Sequence, residues 1–153
     1  MIDYEFKVNW TNQKQFEQAP EIFREEKAAA LTEAGMLLER EIAARTPEGA
    51  TGILRKSIAA QLFGDRMEVG TPIAYAEPVE YGSKAHWAPL APLELWALRK
   101  FGDAEIGKKV WYSIAHKGTR AALMFTRGFA ASASKIMKIL EGIGDKVAQR
   151  LSK

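Results

Sequence analysis

Thr46-Pro47-Glu48-Gly49-Ala50-Thr51-Gly52-Ile53-Leu54-Arg55-Lys56-Ser57-Ile58 is the stretch whose reading decides the fold. Pro47 disfavours helical geometry at Thr46 and so stops the helix that precedes it. Gly52 permits a tight or left-handed turn. Downstream, Leu54 to Phe63 reads as a strand, Gly64-Asp65 as a hairpin turn, and Met67, Val69 and Thr71 as a returning strand. Pro72 ends the pairing because it has no N–H to donate. Tyr75 to Tyr81 has room for a short helix with Tyr75 and Val79 on one side, made irregular by Pro78. On this reading Tyr75 is core and Tyr81 lies at the surface.

Upstream, Pro20 to Arg45 repeats apolar residues with helical period. Phe23, Ala30, Leu31, Ala34, Leu37, Leu38 and Ile42 fall on one stripe. Pro20 suits the first turn, and Glu21, Glu25 and Glu26 suit the positive end of the helix dipole. Before it, Ile2, Tyr4, Phe6 and Val8 alternate with Asp3, Glu5 and Lys7, the period of a half-buried strand, and Thr11-Asn12 supplies a turn. Beyond Tyr81, Ser83 to Pro92 reads as a loop. Leu93, Trp96, Ala97 and Phe101 then have helical spacing, and a second short helix from about Ala104 to His116 turns Val110, Trp111 and Ile114 inward. In the last segment Phe129, Ala133, Ile136, Leu140, Ile143, Val147 and Leu151 recur at spacings of three and four. Gly142 and Gly144, each costing about 1 kcal/mol in a helix, predict a kink or a frayed end there. That stripe either packs on the domain's own sheet or docks on a partner.

The composition narrows the function classes. The chain has 153 residues, no cysteine and 47% hydrophobic residues, enough to build a core without disulfides or thiolate metal sites. The first residues carry neither a basic n-region nor an apolar h-region, so no signal peptide is expected, and no apolar run approaches the ~18 residues of a membrane span. The net charge of +3 hides a split. Residues 1–82 hold 9 Lys/Arg against 14 Asp/Glu, and residues 83–153 hold 13 against 5. Such asymmetry marks either a nucleic-acid surface or complementary faces that meet within the chain or between subunits.

Candidate chemistry is sparse. His86 and His116 are the only histidines, and neither sits in a metal-ligand or acid–base spacing. No nucleophile elbow or phosphate loop occurs. Catalytic, cofactor and metal sites are accordingly expected to be none, and the chain is read as not an enzyme. Arg55 and Glu80 either pair with each other or contact a neighbouring subunit. Trp87, Trp96 and Trp111 among Arg99, Lys100, Lys108 and Lys109 either stack on single-stranded nucleic acid or, the preferred reading, Trp96 and Trp111 form the small core of a helical hairpin whose basic side chains are its wet face. Lys135, Lys138, Lys146 and Arg150 make the outer face of the last helix basic, a face able to line a DNA channel.

The order long helix, TP…TGxLRxSI, hairpin ending in VGT, then YAxxVExG resembles the tail-component family of long-tailed bacteriophages. That group comprises tail-completion or head–tail joining proteins, with the lambda-type minor tail Z protein as a distant member. The resemblance runs through Thr46, Pro47, Thr51, Gly52, Leu54, Arg55, Ser57, Ile58, Val69, Gly70, Tyr75, Ala76, Val79, Glu80 and Gly82, and spans roughly residues 21 to 150. The segment carrying Trp87, Pro92, Leu95-Trp96-Ala97 and Arg99-Lys100-Phe101-Gly102 is similar to an insertion that many members carry. Met124 stands where the family usually has proline before its last helix.

The resemblance implies an α+β fold: a small antiparallel sheet packed against a long N-terminal helix, with a helical insertion at about 83–118 and a long C-terminal helix at about 128–151. It implies one domain over 1–153. The implied role is a structural virion protein of a tailed phage or prophage. It would be assembled in the bacterial host cytoplasm and would sit in the neck between connector (head-closure), tail-terminator and tail-tube rings. A homo-oligomeric, six-fold ring follows from the same resemblance; no cofactor and no membrane are expected, and non-specific contact with packaged DNA is expected of the basic face of the last helix. Two rival readings stand beside it: a non-virion assembly factor, and a DNA-binding module that uses the basic C-terminal half.

Overall fold

The computed structural model describes residues 13–152. The strand read over Ile2 to Trp10 and the turn at Thr11-Asn12 lie outside the described residues. The elements in chain order are α1 (Gln13–Arg45), α2 (Ile53–Ser57), β1 (Ala59–Phe63), β2 (Arg66–Gly70), α3 (Ala76–Tyr81), α4 (Leu90–Phe101), α5 (Glu105–Lys117), α6 (Met124–Glu141) and α7 (Ile143–Leu151). The architecture is α+β: a two-stranded antiparallel sheet and the C-terminal helices both pack on one long helix.

α1 is the spine because it is apolar on more than one side. Ala30, Ala34 and Ile42 are buried, and Leu31, Leu37 and Leu38 are half-buried, as the helical stripe predicts. Phe23 departs from that stripe and is 49% exposed. The reason is the reach of the cover. α6 and α7 run antiparallel to α1, from Gly128 against Ile42 to Arg150 against Glu25 and Glu26, so Phe23 lies past the end of the pair. α1 also begins well before Pro20. The residues ahead of it, Gln13-Lys14-Gln15 and Glu17-Gln18-Ala19, are good helix formers, and they carry the helix through the proline.

The strand expected from Leu54 is instead the short helix α2 followed by β1. Leu54 and Ile58 are both buried, and the helical turn between them is closed by the Lys56 N–H, which donates to the Gly52 carbonyl at 3.1 Å. β1 and β2 form a hairpin closed by Gly64 and Asp65, with Phe63 opposite Arg66 and Ala60 opposite Val69. Its inner face lies along α1. Met67 packs on Gly35, the backbone N–H of Ala60 donates to the Glu39 carboxylate at 2.8 Å, and Lys27 pairs with Asp65 at 3.0 Å.

The main core gathers where these pieces converge: Ile42, Leu54, Ile58, Ala76 and Met124, with Leu38, Val69, Ile73, Val79 and Phe125 around them. The C-terminal helix expected at about 128–151 starts earlier, at Met124, and breaks at Gly142 into α6 and α7, the interruption that the glycines predict. It packs on α1 rather than on the sheet. The contact is close because small residues line it. Gly128 and Ser132 are buried, and a Cβ on Gly128 would sit 2.6 Å from Cγ1 of Ile42. Phe129, expected on the inner stripe, is 59% exposed.

α4 and α5 form a hairpin packed chiefly on itself. Its seam is Ala97 and Gly107, both buried, with Gly107 against the backbone of Glu94. Trp96 and Trp111 are only half-buried and flank this seam, so they are not the core the sequence suggests. Two small residues bring the helices closer than two indoles could. The hairpin leaves and rejoins the body at one place, where Ser83 bridges Thr119.

Candidate interface site

The signature residues divide into fasteners and cleft walls. Thr46 ends α1: its hydroxyl donates to the Ile42 carbonyl at 2.8 Å, and its own carbonyl accepts from Nη2 of Arg55 at 3.1 Å. Arg55 also lies 3.5 Å from Glu48. It therefore locks the 46–52 loop onto α2, and does not pair with Glu80. The Ser57 hydroxyl meets the Thr71 hydroxyl at 2.6 Å and pins the end of β2. Gly82 has φ 80° and abuts the Thr119 carbonyl, where a Cβ would lie 2.6 Å away.

Glu80 holds a second junction. It is 4% exposed, yet it accepts the N–H groups of Phe125 and Thr126 at 2.9 and 3.0 Å and the Thr126 hydroxyl at 2.7 Å. Those N–H groups belong to the first turn of α6, which has no partners within its own helix. The α3 backbone adds to this: Val79 and Glu80 carbonyls accept from Ala122 and Leu123. Leu123 takes a left-handed conformation, φ 54°, to let the chain enter α6 under this cap. Burial pushes the Glu80 carboxyl up, but the Thr126 hydroxyl and the backbone donors outweigh it, and the group is held below its ordinary range.

Six further signature residues border a cleft of 1120 Å³ between the body and the α4–α5 hairpin, while Ile58, Val69 and Ala76 belong to the core. Pro47, Thr51, Gly52, Leu54, Tyr75 and Val79 form one wall, and Leu95, Trp96, Val110 and Ile114 come from the hairpin. Gly52, at φ 64°, adopts the left-handed turn that lets the loop fold under Ile53. Tyr75 is 51% exposed at this cleft, not core, because the short α3 turns its buried side, Ala76 and Glu80, toward α6. Tyr81 is at the surface as expected. The Arg99 guanidinium donates to the Ala50 carbonyl and ties the hairpin across the cleft.

The two histidines spend a ring nitrogen on backbone: Nδ1 of His86 contacts the Lys84 carbonyl, and Nδ1 of His116 the Tyr112 carbonyl. Among the described residues no group of three His, Asp or Glu converges as a metal site, and no helix is long and apolar enough to cross a membrane. The four basic residues of the last helix do not form one free face. Arg150 pairs with Glu25 and Glu26, and Lys146 lies 3.9 Å from Glu33, so part of the charge split is met inside the chain. Lys135 and Lys138 stay exposed. The Glu80 cap and the small-residue seam between α1 and α6 left no signal in local patterning; only the pairing of Gly128 with Ser132 at helical spacing hints at the seam.

Backbone-directed fasteners thus hold the loops that border an apolar cleft. Residues 12–82 match the HK97-gp10-like family model, described as "Bacteriophage HK97-gp10, putative tail-component", and over this stretch the chain is similar to that family. The match ends at Gly82, one residue before the bridge that closes off the α4–α5 hairpin. No curated protein and no solved structure matched the chain.

Proposed function

We propose that the chain is a bacteriophage tail component, a tail-completion or head–tail joining subunit of the neck. It docks between connector, tail-terminator and tail-tube rings, in a ring of copies that is six-fold. It acts by filling joints and carries out no reaction. The observation that carries this reading is the cleft: its walls are apolar, one of them comes from the family signature, and Ile53 and Tyr75 stand half exposed along it. Exposed apolar surface of this kind marks a docking site. A segment of a neighbouring tail protein seats there, with Tyr75 and Trp96 as anchors. The chain is one domain over 1–153, and the hairpin within 83–118 is an addition to the family frame; the end of the family match at residue 82 supports this.

Electron cryo-microscopy of purified particles tests the reading. Ordered density for the chain at the head–tail junction, with a neighbour's segment in the cleft, is the expected result. Infectious particles that lack the chain would reject the virion role in favour of an assembly factor that leaves before maturation.

A further inference from the structure

Outside the family-matched stretch, the far side of the hairpin carries a row of four rings. Tyr112 and His116 lie 4.1 Å apart between centroids, His116 and Trp87 6.2 Å, and Trp87 and Trp111 4.5 Å. Trp111 is held by its Nε1–H, which donates to the Ala88 carbonyl at 2.7 Å. Trp87 and Tyr112 are 63% and 60% exposed. Lys84, Lys109 and Lys117 surround the row. Lys109 is one turn before Tyr112, Lys117 follows His116, and the Lys84 carbonyl contacts His86 beside Trp87. All three lysines are exposed, and among the described residues none has a carboxylate within salt-bridge distance.

We propose that this face, Trp87 with the outer side of α5, binds single-stranded nucleic acid. Open ring faces stack on unpaired bases of any sequence, while flanking cations follow the phosphates. A duplex offers no ring faces. A protein partner is the poorer fit, because lysines are depleted from the dry centre of protein interfaces and here they stand within a turn of the rings. The row is structured before any ligand arrives: backbone carbonyls hold His116 and Trp111 in place. This surface is distinct from the cleft and from the last helix, whose basic residues are partly neutralised by α1.

The test is fluorescence anisotropy with the full chain and a labelled oligothymidine of about 12 nucleotides, the size of one such site. Binding should weaken with salt at a logarithmic slope of about −2, the value for three lysines on a single strand. Trp87→Ala should weaken binding roughly tenfold with the circular dichroism unchanged, since the side chain is largely exposed, and Tyr112→Ala should do the same. Lys84→Gln, Lys109→Gln and Lys117→Gln together should flatten the salt slope. Loss of affinity on pairing the oligonucleotide with its complement would support the stacking mode. No binding at low salt would overturn the proposal. So would polyglutamate binding with equal strength, or Trp87→Ala leaving oligonucleotide affinity unchanged, since both describe a general cationic surface suited to an acidic protein.

Discussion

Glu80 and Thr126, 46 residues apart, are joined by two hydrogen bonds: the hydroxyl and the N–H of Thr126 both reach Oε1 of Glu80. One buried carboxylate on α3 thus caps a helix that begins in another part of the chain. Glu80→Ala leaves those donors buried without an acceptor, and hydrogen bonds to a charged group are each worth about 1.5–3 kcal/mol. A loss of about 3 kcal/mol is expected in urea unfolding. Glu80→Gln, which keeps one acceptor oxygen, should lose about half as much.

The same carboxylate sets a pH dependence. Its folded-state affinity for protons is below that of the unfolded chain, so it contributes stability above the ordinary glutamate range, near pH 4.3, and that stability is lost as the pH falls through the depressed folded value. Thermal melts from neutral to acidic pH should show the wild type losing stability in that window. Glu80→Gln should show a shallower slope there, and an unchanged slope would disconnect the cap from acid unfolding.

Gly128 faces Ile42 where α6 crosses α1. Alanine is the better helix former by about 1 kcal/mol. Its Cβ, however, would meet Ile42 Cγ1 at 2.6 Å and the Ile42 backbone at 3.0 Å, and overpacking of this kind costs about 1–3 kcal/mol. Backbone cannot yield as a side chain can, so the clash wins. Gly128→Ala should lower stability by about 1–2 kcal/mol by chemical denaturation.

Gly118 closes the neck of the α4–α5 hairpin at φ 72°, ψ −161°, and a Cβ there would meet the Ser83 carbonyl oxygen at 1.9 Å. The backbone region is essentially reserved for glycine. Gly118→Ala should break the Ser83–Thr119 bridge while sparing the distant α1–α7 contact. Amide exchange should quicken at Ser83 and Thr119 and stay slow around Ala30 and Ala34.

Two adjacent residues separate folding from docking. Leu54→Ala removes a buried core side chain and should cost about 2–5 kcal/mol. Ile53→Asp alters a half-exposed position at the cleft and should change stability by about 0.5 kcal/mol or less, yet stop the chain from entering particles. Incorporation of Ile53→Asp at the wild-type level would remove the cleft from the docking surface.

Periodicity revealed the elements that are long or paired locally. The α1 stripe, the Gly64-Asp65 hairpin, the two hairpin helices and the break at Gly142 all follow from spacings within a few residues. Leu54 to Ile58 misled because residues four apart share one face in a helix and in a strand alike, so the apolar pair does not tell the two apart. Arg55 and Glu80 are legible as special but not as to partner. Each bonds to backbone, Arg55 to Thr46 and Glu80 to Phe125 and Thr126, and backbone partners carry no residue type for a pattern to detect. The tryptophans misled in the opposite sense: large apolar residues at helical spacing suggest a core, but Ala97 and Gly107 bring α4 and α5 too close to admit them.

The pairing of Arg150 with Glu26 spans 124 residues, so during synthesis it is among the contacts that close late. α1 leaves the ribosome before the other described elements, with Ala30, Ala34 and Ile42 on its surface, and α6 and α7, which cover them, emerge after the rest of these elements. The nascent chain therefore carries this face of its spine uncovered until α6 and α7 have emerged. Contacts of such separation form late because the loop must close first. A ribosome stalled before codon 124 would hold a chain in which β1–β2 can already lie on α1, but the seam at Gly128 and the Glu80 cap have nothing to engage.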